Sequence, residues 1–212
     1  TRLQRHPDIY IYNANFFEFD FAPIIEKSKH MSWNVAVIGN PPWVTNSRQG
    51  KNNSLNVPFK SNIYGLKGID AITGKSNFDI SEFITLQLLH LSQLNSGGIS
   101  FLLKNSVIRN ILVKQSSEEF HIGNIEQRLI DATSEFNVSV DASCFFAQFD
   151  CSPSFTCRVF NLYTNSYIRE YGWVNRSFVS DTKLYGAVSK YDSNSSYVWR
   201  SGIKHDCASV LE

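Results

Sequence analysis

The stretch Asn34-Val35-Ala36-Val37-Ile38-Gly39-Asn40-Pro41-Pro42-Trp43 is the most informative part of this 212-residue chain. Its first half is an almost fully apolar run stopped by glycine, which is typical of a central strand in a parallel sheet covered on both faces. Its second half is stiff, because each proline ring fixes its own φ and Pro42 restricts Pro41 to an extended backbone. We expect Asn40–Trp43, called the hook below, to follow the carboxyl end of a strand, where open α/β sheets bind ligands.

Patterns on both sides of the hook predict an α/β fold. A short strand is predicted at Ile9–Tyr12, and another at Ile99–Leu103, with a helix that begins near Ile80 and ends before Gly97-Gly98. A weaker helix is predicted from about residue 125 to 133. Two later β-type runs, residues 138–149 and 155–163, predict an antiparallel hairpin. This order predicts a partial doubly wound, Rossmann-like sheet that is mostly parallel and has an antiparallel hairpin near its C-terminal end.

Composition and charge restrict the classes of function. The chain has 20 basic and 19 acidic residues, so its global charge does not indicate a nucleic-acid binder. A long polar loop is predicted from Thr45 to Asn77, where five basic side chains face Asp70 alone. No segment is long enough to cross a membrane and no signal peptide opens the chain, which predicts a cytoplasmic protein without a membrane partner. The four cysteines match no common zinc spacing, so we expect free thiols and no metal.

The hook suits one kind of ligand. It presents the side-chain oxygen of Asn40 and the carbonyl of Pro41 as two neighbouring acceptors, with the flat face of Trp43 beside them. An exocyclic amine on a planar base, such as adenine N6, carries the two N–H donors that these oxygens would accept. Accepting both would return the nitrogen lone pair to the amine, so that it could attack an electrophilic methyl group without a formal base. A rigid turn with no chemical role remains the alternative for the tetrapeptide alone.

The chain resembles the adenine-N6 DNA methyltransferases of bacterial restriction–modification systems over roughly residues 8–165. Ile38-Gly39-Asn40-Pro41-Pro42-Trp43 matches the catalytic motif of that family. Asn13-Ala14-Asn15-Phe16-Phe17 resembles the motif that contacts the adenine ring of S-adenosylmethionine, which makes Asn15 and Phe16 cofactor-binding candidates. Phe83, in Phe78-Asp79-Ile80-Ser81-Glu82-Phe83, resembles the aromatic residue that packs on the cofactor. Phe136, in Phe136-Asn137-Val138-Ser139-Val140, resembles the aromatic residue that stacks on the flipped base opposite Trp43.

The resemblance implies an organisation and a set of partners. Residues 1–165 would form the C-terminal part of a methyltransferase catalytic domain, and residues 166–212 a linker or the start of a target-recognition region. The cofactor would be S-adenosylmethionine, and the substrate double-stranded DNA with a flipped adenine. A restriction endonuclease would be an associated or fused partner. The basic residues of the long loop would contact DNA, and four of them are our candidates: Arg48, Lys51, Lys60 and Lys67.

Two departures from the family pattern shape the expectation. Asn15 stands where the family usually has an acidic residue, although an amide oxygen can still accept a hydrogen bond from the cofactor amine. The glycine-rich cofactor loop is absent, as is the acidic residue that holds the ribose. The chain therefore carries the hook and only part of a cofactor pocket, and we expect the other half upstream in the native protein.

Several alternatives stay open at this point. A glutamine amide presents the same NH2 geometry as adenine N6, so a protein-glutamine or an RNA-adenine methyltransferase would use the same hook. A non-catalytic fragment that binds DNA or a partner subunit is a rival of a different class. The basic loop would equally serve as a solvated surface loop. Lys104, Arg109 and Lys114 have no acidic residue between them and line either a DNA cleft or a solvated face.

Overall fold

The computed structural model describes residues 9–44, 79–92, 95–116 and 120–192, and these residues build a seven-stranded sheet with helices against it. The strands are β1 (Val35–Gly39), β2 (Gly97–Lys104), β3 (Gly123–Ile130), β4 (Ala142–Phe149), β5 (Thr156–Asn161), β6 (Tyr167–Val174) and β7 (Ser177–Val179). The helices are α1 (Ala22–His30), α2 (Ile80–Ser92), α3 (Asn105–Gln115), α4 (Ala132–Phe136) and α5 (Thr182–Val188), with a 3-10 turn at Ser189–Tyr191.

The sheet is mixed and has the strand order β1-β2-β4-β3-β5-β6-β7. The pairs β1–β2 and β3–β5 are parallel, and the other four pairs are antiparallel. The expected α/β class with a Rossmann-like sheet is confirmed and is consistent with a methyltransferase fold. The antiparallel share is larger than expected, because β4 is inserted antiparallel between β2 and β3.

The predicted hairpin between residues 138–149 and 155–163 needs correction. The strands in these two runs, β4 and β5, do not pair with each other, because β3 lies between them. β4 pairs antiparallel with β3, its predecessor along the chain, and β5 pairs parallel with the other edge of β3. Antiparallel pairs at the C-terminal end of the described chain are instead those of β6 with β5 and with β7.

Two other predicted elements differ from the structure. Residues 125–133, predicted as a weak helix, contain most of β3 and the start of α4. Ile9–Tyr12 is not a strand, and its four side chains are exposed. That run pairs with no strand among the described residues, so its β propensity is not supported by a ladder. By contrast, the helix near Ile80 and the strand around Ile99–Leu103 are confirmed as α2 and β2.

The pleat gives the sheet two different faces. Phe101, Phe145 and Gln127 are partners in register across β2, β4 and β3, and all are buried on the side that α3 covers. We call this side the helix face. Ile38, Ser100 and Phe146 form the neighbouring register row and point the other way, onto the open face. There Ile38 is 81% exposed and Phe146 is 41% exposed.

The predicted domain boundary at residue 165 falls in the connection between β5 and β6. These two strands pair with each other, and α5 packs on β6, so the described residues 167–192 continue the same sheet. The assignment of a target-recognition region to residues 166–212 stays a prediction.

Candidate functional site

The hook leaves the sheet where β1 ends, which places it at the carboxyl edge, defined here as the edge where β1, β2 and β3 end. The Asn40 side chain is exposed, Pro41 is buried and Pro42 is exposed. Gly39 packs closely on the neighbouring strand, since a Cβ at this position would lie 3.1 Å from the ring of Phe101. The backbone is thus held against β2 immediately before Asn40, while the Asn40 amide faces solvent.

Trp43 is anchored by both ends of its side chain. Its Nε1 donates a hydrogen bond of 3.0 Å to the Leu102 carbonyl of β2. Its ring lies 6.0 Å from the ring of Phe136, centroid to centroid, with an interplanar angle of 80°. Trp43 and Phe136 are therefore in contact in the structure. These are the two aromatic residues that the family resemblance predicts on opposite sides of a flipped base. The rings touch edge to face, whereas a base stacked between two parallel rings needs a separation of about 7 Å, twice the ~3.4 Å spacing of stacked bases.

Phe136 is placed by a short, well-capped helix. The Asp131 carboxylate accepts hydrogen bonds from the backbone N–H groups of Thr133 and Ser134, which starts α4. Asn137 ends the helix in the left-handed conformation, with φ of 54°. Phe136 stands at this end and is 47% exposed, so its ring is freer than the half-buried, hydrogen-bonded indole of Trp43.

A cavity of about 370 Å³ opens beside the hook on the open face. Gly39 and Leu102 line it on the side of β1 and β2, and Phe136 and Glu135 line it on the side of α4. Tyr163 closes the far side, where its hydroxyl donates to Glu135 at 2.8 Å. The volume lies in the range of about 300–1,000 Å³ that is usual for small-molecule sites. The cavity thus reaches Gly39, directly before the hook, and Phe136, but residues 40–43 are not part of its lining.

The predicted cofactor residues lie in one aromatic cluster, formed by Phe16, Phe17, Phe21 and Phe83. The ring of Phe17 lies 5.7 Å from Phe16 and 5.7 Å from Phe83, so the two candidates share a neighbour. Asn15 opens the turn that carries the cluster, with its Oδ1 accepting from Phe17 N–H at 3.2 Å. The cluster is half-buried against the core.

The hook and the aromatic cluster are joined by backbone. The Val44 carbonyl, directly after Trp43, accepts a hydrogen bond of 2.9 Å from the Ile80 N–H at the start of α2. Phe83 lies in the first turn of that helix. Phe83, one of the cofactor-binding candidates, therefore lies within one helical turn of the residue that is hydrogen-bonded to the end of the hook segment.

An ion pair beside the hook was not foreseen. Lys104 at the end of β2 binds Asp79 at 2.6 Å, and both side chains are largely buried. The same carboxylate accepts from Ser81 N–H at 3.0 Å, as expected for a cap of α2. Lys114 pairs with Glu82 at 3.3 Å. Of the three basic residues considered in the sequence, Lys104 pairs with Asp79, directly before α2, and Lys114 pairs with Glu82 in the first turn of α2. Only tertiary contacts could have revealed these pairs.

Other predicted features lie outside the site or outside the described residues. Arg48, Lys51, Lys60 and Lys67 lie outside the described residues, as does the whole basic loop. Cys144, Cys151 and Cys157 are free thiols. Burial raises the pKa of Cys157 to about 12, with Tyr171 beside it lowering that pKa in part. Within the described ranges, no group of three potential metal ligands occurs, and no helix is long and apolar enough to cross a membrane.

Comparisons with known proteins found one similar methyltransferase and one distant structure. No family model matches the chain. It is 40% identical over 202 residues to the type II methyltransferase M.NspV of Nostoc sp. (strain ATCC 29411 / PCC 7524), a match that covers 94% of this chain and 41% of that protein. The chain thus spans well under half the length of this relative.

A cryo-EM structure of a DrdV–DNA complex shares 14% identity over 65% of this chain and 15% of that chain, with a TM-score of 0.39. A likeness this low supports no assignment. The similarity to M.NspV extends over nearly the whole chain, so this chain is related to part of a type II methyltransferase.

Proposed function

We propose that this chain is the catalytic-hook half of a site-specific DNA methyltransferase that transfers a methyl group from S-adenosylmethionine to N6 of a flipped adenine. The observation that carries the proposal is the exposed Asn40 amide at the carboxyl end of β1, directly after Gly39, which lines the cavity, and three residues before Trp43, whose ring packs on that of Phe136. The similarity to a type II methyltransferase supports DNA over a protein glutamine or RNA as the substrate.

In the proposed mechanism, Asn40 and Pro41 position and polarise the amine. The Asn40 side-chain oxygen and the Pro41 carbonyl each accept one N–H of adenine N6, which draws the lone pair back onto the nitrogen. S-adenosylmethionine, when bound, supplies an electrophilic methyl group on a sulfonium. As the new N–C bond forms and the C–S bond breaks, N6 gains positive charge, and it afterwards releases one proton to solvent. Asn40 is neutral, so its contribution is positioning and hydrogen bonding and needs no titrating base.

A flipped base would enter by displacing Phe136. Trp43 is fixed by its hydrogen bond to Leu102, whereas Phe136 is 47% exposed at the end of a short helix. We therefore assign the fixed wall of the base site to Trp43 and the moving wall to Phe136. Stacking between the two rings would offset the cost of a few kcal/mol for taking the base out of the duplex.

The described residues fit one end of the cofactor. Asn15 Oδ1 has a second lone pair beyond its bond to Phe17 N–H, and the half-buried rings of Phe16 and Phe83 offer apolar faces. These residues would hold the adenine ring of S-adenosylmethionine. In this proposal, the rest of the cofactor pocket comes from a part of the enzyme outside this chain. M.NspV has additional sequence that could correspond to it, because the match covers 41% of that protein.

The remaining partners follow from the same proposal. Arg48, Lys51, Lys60 and Lys67 would contact DNA phosphates next to the hook. A restriction endonuclease would be fused or associated, and the enzyme would act in the cytoplasm, where its DNA substrate lies.

The test is a methylation assay of the full-length protein on mixed-sequence duplex DNA, with the modified base and its position mapped. N6-methyladenine at a fixed sequence is the expected product. RNA of the same sequence and a glutamine-containing peptide, offered in parallel, test the two other amine substrates. Calorimetry with S-adenosylmethionine on this chain and on the full-length protein completes the design. No product with any substrate, together with no cofactor binding by either form, would favour the non-catalytic alternative.

A further inference from the structure

A second cavity, of about 540 Å³, lies at the carboxyl edge on the helix face, away from the hook. We call it the arginine pocket. Its walls include Arg109 from α3, Arg169 and Tyr171 from β6, and Phe178 from β7. Gln127 on β3 forms part of its floor, and Gln127, Val159 and Arg169 lie in one register row, which puts Arg169 on the same side of the sheet as α3.

The two arginines are the notable charges of this pocket. The Arg109 guanidinium lies 5.3 Å from the centre of the Phe178 ring, and that of Arg169 lies 5.9 Å from the Tyr171 ring. Within the described parts of the chain, neither arginine forms an ion pair. Both residues are exposed. Aromatic rings thus orient the two cations, and their N–H groups remain available to an anionic ligand.

The other basic groups at the sheet behave differently. Lys104 is paired with Asp79, directly before α2, and Lys114 with Glu82 of α2. Arg128 and Arg158 both bind Glu126 on the open face, at 2.8 Å and 3.0 Å. Arg109 and Arg169 therefore differ from these cations, because no carboxylate of the described residues forms an ion pair with either of them.

A buried chain of hydrogen bonds fixes the floor and leaves donors facing the pocket. The Tyr171 hydroxyl donates to Gln127 at 2.8 Å, and Gln127 donates to the Ser143 hydroxyl at 3.1 Å. Ser143 in turn donates to Asn105 Oδ1 at 2.6 Å, so the Asn105 amide oxygen is used and its NH2 group is left as a donor. Asn105 and Ser106 both line the pocket. Neutral donors thus supplement the guanidinium groups, and Asp141 is the single carboxylate in the lining.

We propose that the arginine pocket binds a backbone phosphodiester of the substrate DNA, at a fixed distance from the flipped base. This inference rests on the proposed function. Guanidinium groups bind phosphate oxygens through paired hydrogen bonds, and phosphate contacts are what set the register of a protein on DNA.

The strand order sets the distance between the arginine pocket and the hook. β3 is three strand spacings from β1 and β6 is five, which corresponds to about 14–24 Å at ~4.8 Å per spacing. At about 3.4 Å per base-pair step, the bound phosphate lies roughly four to seven steps from the target adenine. A contact at that distance falls within the DNA that a site-specific enzyme covers.

The experiment measures DNA affinity of the full-length protein as a function of salt, for Arg109→Gln, Arg169→Gln and the double variant. Arg176→Gln is the matched control, because Arg176 is also exposed but lies in the β6–β7 turn at the opposite edge of the sheet. We expect the double variant to lose about tenfold in affinity at low salt and to lower the log–log salt slope by about 1, the value for one phosphate contact. The control should retain the wild-type slope.

A second measurement needs no protein variant. Duplexes carrying a neutral methylphosphonate at single positions, four to seven steps from the target adenine, should reproduce the loss at one position for the wild-type protein. The double variant should lose nothing further at that position. If neither the variants nor any methylphosphonate changes the slope, the pocket does not bind DNA. If millimolar inorganic phosphate stabilises the wild-type protein against unfolding while the salt slopes of DNA binding stay the same in all variants, the pocket binds a free anion instead.

The outcomes separate this inference from the function on which it rests. Wild-type protein that methylates DNA while all variants keep the wild-type slope overturns the phosphate site and leaves the methyltransferase proposal intact. Wild-type protein that binds duplex DNA through the arginines but yields no N6-methyladenine overturns the reaction and supports the phosphate site. Equal arginine-dependent binding of RNA and DNA duplexes would contradict DNA as the particular ligand.

Discussion

The hook and the arginine pocket lie at the same edge of one sheet, but their side chains differ in charge: those of the hook are neutral, and those of the pocket include two cations. The hook region has neutral acceptors and aromatic rings, with Asn40 exposed and Trp43 fixed to the Leu102 carbonyl. The arginine pocket has two guanidinium groups that form no ion pair with the described residues, above a buried hydrogen-bonded floor. Under the two proposals, the hook would polarise a neutral amine at one end of the edge, and the arginine pocket would bind a charged DNA backbone at the other end.

The largest expected effect is that of removing the Asn40 amide from the hook. Asn40→Ala should lower the methylation rate by about 10³-fold, the size of effect seen when one preorganised hydrogen-bonding group is removed from an active site. DNA affinity and its salt slope should change little, since the arginine pocket is untouched. Two measurements on the same preparation separate the two regions. Single-turnover methylation reports on the hook, and a salt titration of DNA binding reports on the arginine pocket. A tenfold loss of DNA affinity with unchanged turnover would reverse the assignment.

The next largest effect is expected from a substitution that disturbs β1, the strand directly before the hook. Gly97 has a φ of 133°, and a Cβ there would overlap the backbone carbonyl of Val35, its partner on β1. Gly97→Ala should therefore cost on the order of 3 kcal/mol in the free energy of unfolding. β1 pairs only with β2 among the described strands, so we expect the damage to fall on the hook first.

The measurement for Gly97→Ala compares chemical denaturation with the two activities. Methylation should fall more than DNA binding at temperatures well below the unfolding transition. Gly186→Ala is the control, because a Cβ at Gly186 meets no atom within 4 Å. Equal loss of methylation and DNA binding would show that the hook and the arginine pocket lose their structure together, and that the hook is not the less stable of the two regions.

How far the sequence could predict these two regions follows from which contacts are local. The strands β1 and β2 and the helix α2 were predictable, because apolar runs, a glycine stop and helical spacing are written into consecutive residues. The prediction that the strand before the hook is central and covered on both faces is wrong, because β1 is an edge strand of the described sheet and Ile38 is 81% exposed. The helix α3 was missed, although Val107, Ile108, Ile111 and Leu112 have helical spacing and are all buried. That pattern was sufficient to find it.

The errors in β3 have a different cause. Its segment was predicted as a weak helix, and it carries three consecutive polar residues, Glu126, Gln127 and Arg128, in the middle of the strand. In the structure, Gln127 is satisfied by Tyr171 and Ser143, and Glu126 is satisfied by Arg128 and Arg158. Because Tyr171, Ser143 and Arg158 are distant in sequence, local propensity could not reveal the strand. The arginine pocket depends on the same distant partners, so its position could not be predicted either.

A smaller effect tests the aromatic wall of the base site. Phe136→Ala should lower methylation about tenfold, since base–aromatic stacking is worth about 1–3 kcal/mol per base. Substrate DNA with a mismatch at the target adenine should recover part of the loss, because a mismatched base is easier to flip. Phe155→Ala, at a similarly exposed phenylalanine before β5, controls for lost apolar surface. Equal losses on matched and mismatched DNA would assign Phe136 a packing role.

The smallest expected effect concerns the single acid of the arginine pocket. Asp141 lines the cavity without forming an ion pair in the described structure, and its backbone carbonyl, which accepts from Asn105 N–H at 2.9 Å, is unaffected by a side-chain change. Asp141→Asn should thus remove repulsion toward a phosphate and tighten DNA binding by about two- to threefold at low salt, with no effect at high salt. Asp150→Asn, at the opposite edge, should leave affinity unchanged. Weaker binding by Asp141→Asn would mean that this carboxylate holds the guanidinium groups in place when DNA is bound, which would make it part of the site.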